Sequence, residues 1–155
     1  MNLFLPLEEA CSEAFREAVE DLSESDNKHL FTIFHSEKAI NSVLNRHLGQ
    51  HPSFGDLNVV FYEGGFEMRG RLRLGPAEFN FSANGIATTD PSNPQQLSLE
   101  LYEAKLGRLD MPRFMRAQLQ DVFRNASFKS KANVRIRQIT YKRGGVEVSY
   151  VRMKD

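Results

Sequence analysis

Phe66-Glu67-Met68-Arg69-Gly70-Arg71-Leu72-Arg73-Leu74 alternates without a break between apolar or small residues and charged ones. Successive side chains of a strand point to opposite faces. The stretch therefore predicts a strand with Phe66, Met68, Gly70, Leu72 and Leu74 on one side. Glu67, Arg69, Arg71 and Arg73 fall on the other. One apolar and one charged face is the pattern of an antiparallel sheet covered on one side only.

The same period of two extends in both directions. Upstream, Leu57, Val59 and Phe61 alternate with Asn58, Val60 and Tyr62, and Glu63-Gly64-Gly65 supplies a turn. Downstream of Gly75-Pro76, Ala77, Phe79, Phe81 and Ala83 alternate with Glu78, Asn80, Ser82 and Asn84. Asp90-Pro91-Ser92-Asn93-Pro94 reads as a loop, after which Leu97, Leu99 and Leu101 begin a strand that continues toward Leu106. Two strands close the chain, about Val134 to Tyr141 and Val146 to Met153, joined by Arg143-Gly144-Gly145. Both lose strict alternation midway, which predicts bulges or edge positions.

Three stretches switch to helical spacing. Leu7, Cys11, Ala14, Phe15, Ala18, Val19 and Leu22 mark an amphipathic helix over about residues 6–23, with Pro6 and the acids Glu8 and Glu9 suited to its start. Ser23 to Asn27 then reads as a polar linker. After a short strand over Leu30 to Phe34, Ser36 can cap a second helix with the apolar stripe Ala39, Ile40, Val43, Leu44 and Leu48. Gly49 is placed to end it in a left-handed conformation, and Pro52 prevents its resumption. The third helix follows Pro112, with Met115, Leu119, Val122, Phe123 and Ala126 on one side and Arg113, Arg116 and Arg124 on the rest. The expected fold is α+β: a curved antiparallel sheet of about six to seven strands packed on two to three helices. It forms a single domain over residues 1–155, with the acidic helix and linker in 1–26 and the α+β core in 30–155.

Composition narrows the function classes. At 41% hydrophobic and 26% charged, the 155 residues have the make-up of a globular chain and not of a disordered one. Formal net charge is zero but unevenly spread. Residues 1–26 hold eight carboxylates against Arg16, a net −7, whereas thirteen Lys and Arg face four acids from Lys105 onward, a net +9. Such asymmetry bears on association and not on fold. The lone Cys11 excludes an intrachain disulfide and a multi-cysteine metal site, and its apolar helix position suits a small core residue. No apolar run reaches the ~20 residues that cross a bilayer. Met1 to Pro6 lacks the basic start and long apolar centre of a signal peptide. A cytoplasmic location is expected, or an extracytoplasmic, membrane-associated one if a leader or anchor precedes the sequence.

Little in the sequence carries chemistry. His47 and His51 are four apart, but Gly49 and Pro52 interrupt the helix between them, and a closed zinc site needs four ligands. No metal site is expected. The Gly-Gly pairs sit between strands and not ahead of a helix, so they are turns and not phosphate loops. No nucleophile, base and orienting group can be named together, so neither an enzyme nor a cofactor is expected. Arg69, Arg71 and Arg73 share one sheet face and could hold anionic groups. Their strand's aromatic lies on the opposite face, which argues against nucleic acid, because single-strand binders stack bases beside their cations.

The apolar face offers the other candidate. Phe66, Met68, Leu72, Leu74, Phe79, Phe81, Leu99 and Leu101 point to one side under the alternation, opposite Met115 and Leu119 of the third helix. Such residues ordinarily form plain core. A curved sheet with few helices can instead leave an apolar groove for a long ligand.

The order of features resembles that of small bacterial envelope proteins with tubular lipid-binding (TULIP-like) domains. The similarity lies in the strand Phe31 to Phe34, the Ile40-Asn41 pair in the helix ending at Leu48, the amphipathic strands over 57–87, and Gly107-Arg108-Leu109-Asp110-Met111-Pro112 leading into a helix. It covers roughly residues 30–125. The resemblance implies a non-enzymatic, membrane-associated protein that holds a lipid or other apolar ligand between sheet and helices. The rival expectation is a protein-interaction module that uses the acidic first helix or the arginine-lined sheet face toward a protein partner.

Overall fold

The computed structural model describes residues 3–11, 13, 17, 30–48, 51–90, 93–125 and 134–152. Among them are three helices and eight antiparallel strands. Helix α1 covers residues 5–11, with Glu13 and Glu17 also helical. There follow β1 (Leu30–Ser36), α2 (Glu37–Leu48), β2 (Phe54–Tyr62), β3 (Gly65–Leu74), β4 (Ala77–Asp90) and β5 (Asn93–Leu106). The chain closes with β6 (Leu109–Asp110), α3 (Arg113–Asn125), β7 (Val134–Lys142) and β8 (Gly145–Arg152). The α+β class holds. The strands divide between two sheets, however, one of five in the order β2-β3-β4-β5-β6 and one of three in the order β1-β8-β7.

The five-stranded sheet is a meander of hairpins, and β3 has the burial that its alternation predicts. Phe66, Met68, Gly70 and Leu72 are buried, while Arg69, Arg71 and Arg73 are exposed. Two irregularities keep this face apolar. In β2 the register shifts between Gly55 and Asn58, with Asp56 in the left-handed region (φ 49), so Phe54 and Leu57 both turn inward. Asp is one of the few residues that adopt this conformation at low cost. Opposite β4, Gly85 pairs with Leu101 while Ala83 pairs with Ala104, so β5 has one residue in excess. Both Leu101 and Ala104 are thereby buried although their parity differs. A Cβ on Gly85 would lie 2.6 Å from Glu100 O, so only glycine allows the strands to approach here.

The central hairpin also runs beyond its expected limits. β4 and β5 each run 14 residues, and Asp90 and Asn93, expected in a loop, pair with each other. Pro91 and Ser92 lie outside the described residues. So do Gly49, the linker Ser23 to Asn27, and the expected first-helix positions Ala14, Phe15, Ala18, Val19 and Leu22. In the smaller sheet β7 carries the predicted bulge, between Ile136 and Gln138, whereas β8 pairs regularly with β1 throughout.

One apolar cluster joins the layers. The inner face of the large sheet meets Phe4, Leu7, Ala10 and Cys11 of the α1 segment and Met111, Met115, Leu119 and Val122 at α3. Phe4 lies 6.2 Å from the rings of both Phe54 and Phe81. Toward the other end β7 lies against β2, β4 and β5, with Tyr141 stacked on Phe61 at 6.4 Å. Leu72, Leu119, Val122, Phe4 and Leu7 are fully enclosed, and each such side chain contributes ~1.5–3 kcal/mol of burial. No helix among the described residues is long and apolar enough to cross a membrane.

Candidate functional site

The inner face of the five-stranded sheet is where the candidate ligand residues converge. Phe66, Met68, Leu72, Phe81 and Leu101 are buried there, and Met115 and Leu119 reach it from α3. Gly70 belongs to the same face, and its missing Cβ leaves room for the Phe81 ring, which a methyl group would meet at 2.9 Å. Leu74 is partly buried against the cluster. Phe79 follows the same parity but lies at the rim, 38% exposed. Leu99 stands opposite Ala87 in β5, and its side chain lies outside the described residues. The side chains of α1 and α3 fill this face, so it is core as well as candidate site.

The arginine stripe lies on the opposite, outer face, as the alternation requires. Its charge is largely met by neighbouring acids. Arg69 pairs with Glu67, Arg71 with Asp56 and with Glu78 at 3.0 Å, and Arg73 with Glu78 at 3.5 Å. Between the stripe and the β5–β6 turn is a shallow depression of about 360 Å³, lined by Asp56, Arg69, Gly70, Arg71, Asn80, Phe81, Ser82 and Gly107. Exposed pairs of this kind contribute about 0–1 kcal/mol each. On the same outer face Tyr62 hydrogen-bonds the Tyr102 hydroxyl. Desolvation, that hydrogen bond and the nearby carboxylates Glu67 and Glu103 push the Tyr62 phenol up to about 12, so it stays neutral.

Both long edges of the sheet are closed by helices through polar side chains, an arrangement the sequence reading did not anticipate. α2 runs beside β2. Glu37 Oε1 accepts from Phe61 N (2.6 Å), and Asn41 Oδ1 accepts from Val59 N (2.7 Å). Asn41 Nδ2 donates to Val59 O (2.9 Å), and Asn45 Nδ2 donates to Leu57 O (3.0 Å). Four helical residues rise about 6 Å and two strand residues advance about 6.6 Å. Positions i, i+4 and i+8 of the helix therefore meet alternate residues of the strand. At the other edge Gln120 Oε1 accepts from Leu101 N (2.8 Å), and Arg116 Nη2 donates to Tyr102 O (3.2 Å). Met111 N also donates to Ala104 O (3.0 Å).

Two titratable groupings stand apart from the sheet's inner face. His35 Nε2 and Tyr150 Oη share a 2.8 Å hydrogen bond within the small sheet. Burial lowers the His35 pKa and raises that of Tyr150, so both remain neutral near pH 7. The carboxylates of Glu13 and Glu17 and the His47 imidazole bring their ligand atoms within 4.8 Å of one another. His47 thus meets α1 and not His51, whose Nδ1 accepts from Ser53 N. Arg46 also pairs with Glu17, which makes the grouping an ion-pair network tying α1 to the end of α2. Cys11 is buried as expected, and desolvation pushes its thiol up to about 12, which leaves it unreactive.

Comparison with protein-family models, with curated proteins and with solved structures gives no match to this chain.

Proposed function

We propose that this chain binds a lipid or similar apolar ligand, without catalysing a reaction, between the inner face of its five-stranded sheet and helices α1 and α3, in association with a membrane. The observation that carries this reading is the continuity of the apolar face. Buried Leu72 and Phe81 lead without a polar break to partly buried Leu74 and to Phe79 at the rim. With α2 and α3 closing the long edges, the open route to that face is its end. Phe4 and Leu7 occupy the face, so an acyl chain enters in exchange for part of α1. The gain is the desolvation of the chain against aromatic and aliphatic side chains. The similarity to tubular lipid-binding domains belongs to the same proposal.

The interaction-module alternative gains less support at the described positions, because the arginine stripe and Glu17 are paired within the chain. Glu17 of α1 is held by Arg46 and His47, and the arginine stripe by Asp56, Glu67 and Glu78.

Native mass spectrometry of the purified protein, with organic extraction and lipid analysis, tests the proposal. A discrete added mass that matches an extracted lipid is expected. Phe79→Asp, a change at a half-exposed rim, should keep the fold and reduce uptake of an offered phospholipid. A clean unliganded mass with no uptake would leave the inner face as core alone.

A further inference from the structure

We propose that the end of the five-stranded sheet formed by the β5–β6 turn and the start of α3 is a docking surface for an anionic lipid bilayer. The two most exposed large apolar side chains among the described residues are Leu109 (76%) and Phe114 (64%), and both belong to this short segment. Nothing mobile is needed to present them. Leu109 pairs with Leu106 in the sheet, Met111 N is bonded to Ala104 O, and Arg116 N closes the first turn of α3 on Pro112 O at 2.9 Å. The buried Met111 between them anchors the segment, so little conformational entropy is lost on docking.

The charges around this apolar pair choose the occupant. Residues 105–116 hold Lys105, Arg108, Arg113 and Arg116 against Asp110, a net +3 in a chain of zero net charge. Lys105 is paired with Glu103 (3.4 Å) and Arg116 with the Tyr102 carbonyl. Arg108 and Arg113, which immediately precede Leu109 and Phe114 in sequence, form no ion pair among the described residues. The first turn of α3 contains no acid, so its positive dipole end is not neutralised. Apolar side chains that stand out from the surface with cations beside them suit a bilayer interface, where the former sink below the phosphates and the latter meet them. A soluble apolar ligand would require concave walls instead. The inference extends the membrane association in the function proposed above, but it does not require that a ligand be bound.

The full chain contains no tryptophan, so Phe114→Trp is a single-site reporter. With vesicles of phosphatidylglycerol and phosphatidylcholine it should co-sediment and shift its emission to the blue. It should respond weakly to phosphatidylcholine alone and lose binding as salt is raised. In a chain that keeps Phe114, the double change Leu109→Glu with Phe114→Glu should reduce vesicle binding by about tenfold or more without altering circular dichroism, since both side chains are exposed. Arg108→Gln and Arg113→Gln should each reduce it by about fivefold. Failure to bind the anionic vesicles, or a double glutamate variant that binds them like the native chain, would overturn the proposal. Capture by polyglutamate but not by vesicles would also overturn it and assign the surface to an acidic protein. Whether lipid is extracted from the purified protein decides the ligand reading alone and leaves these arms unaffected.

Discussion

The two long edges of the five-stranded sheet solve one problem in different ways. Unpaired N–H and C=O groups on an edge strand invite pairing with another chain. At β2 the solution is periodic: Glu37, Asn41 and Asn45 act as a substitute strand, and Asn41 satisfies both the donor and the acceptor of Val59. At β5 the solution is piecemeal. The two-residue strand β6 pairs with Lys105 and Leu106, and then the extra residue in β5 brings Leu101 N and Tyr102 O within reach of Gln120 and Arg116. β2 is bulged only near its start, between Gly55 and Asn58, and toward Phe61 a helix matches it at every second residue. β5 is met group by group around its extra residue. At β2 two of the four side-chain bonds fall on Asn41, whereas at β5 Gln120 and Arg116 supply one each.

That contrast can be broken at Asn41. Asn41→Leu keeps a side chain of similar size but strands the Val59 N–H and C=O, each worth about 1–3 kcal/mol when buried without a partner. A loss of about 2–3 kcal/mol is expected by urea denaturation, together with concentration-dependent association through the opened edge. No loss would show that water replaces Asn41 at no cost. Gln120→Leu provides the matched change at β5. It removes one acceptor from Leu101 N, and about 1–2 kcal/mol is expected because Arg116 and β6 remain. If the two variants lost equal stability, the distinction between a concentrated and a distributed seal would fail.

The smallest effect belongs to the three-stranded sheet, where His35 is hydrogen-bonded to Tyr150. Burial holds the His35 pKa below its ordinary 6.5, so folding favours the neutral imidazole. The associated stability is present above about pH 6.5 and is lost as pH falls from there toward the lowered folded value, because the unfolded chain takes up the proton first. Amide exchange between pH 7 and mildly acidic conditions should therefore lose protection in β1 and β8 before β2 and β5. His35→Gln should flatten this dependence, and an unchanged slope in that variant would place the titrating group elsewhere.

Most of the sheet was legible because burial follows alternation wherever the ladder is regular, as in Phe66 to Leu74. Legibility stopped at the bulges. In β5 Leu101 and Ala104 are both buried, which a period of two cannot express, and so the strand's true length was missed on both sides of Gly85. The division into two sheets was not visible either, since it depends on β1 pairing with β8 across the whole chain. Asn41 stood out only as half of the Ile40-Asn41 pair, and no motif marked Glu37, Asn41 and Asn45 together as partners of a sheet edge. Their spacing of four, beside the apolar positions Ile40 and Leu44, was the available signal. The alternation placed Phe66, Met68, Leu72 and Phe81 on the buried face, but it could not tell that Phe4 and Leu7 would fill it or that Phe79 would reach its rim. Leu109 figured only in the segment leading into the third helix and Phe114 lay outside that helix's apolar stripe, so their exposure is visible only in the fold.

The partners of α1 and β1 have a further consequence, for the order in which the chain becomes structured during synthesis. Leu3 N is bonded to Gln118 Oε1, 115 positions away, and Thr32 Oγ1 to Ser149 Oγ, 117 positions away. The hairpins of β2 to β6 need only neighbours already synthesised, so they form while the last strands are still being made. The earliest segments instead wait longest, because closing such loops is the slow, entropically costly part of folding. Until β8 leaves the ribosome, β1 is without its sheet partner, whereas Phe4 can already meet Phe54 and Phe81. The nascent chain is therefore most in need of a chaperone at β1.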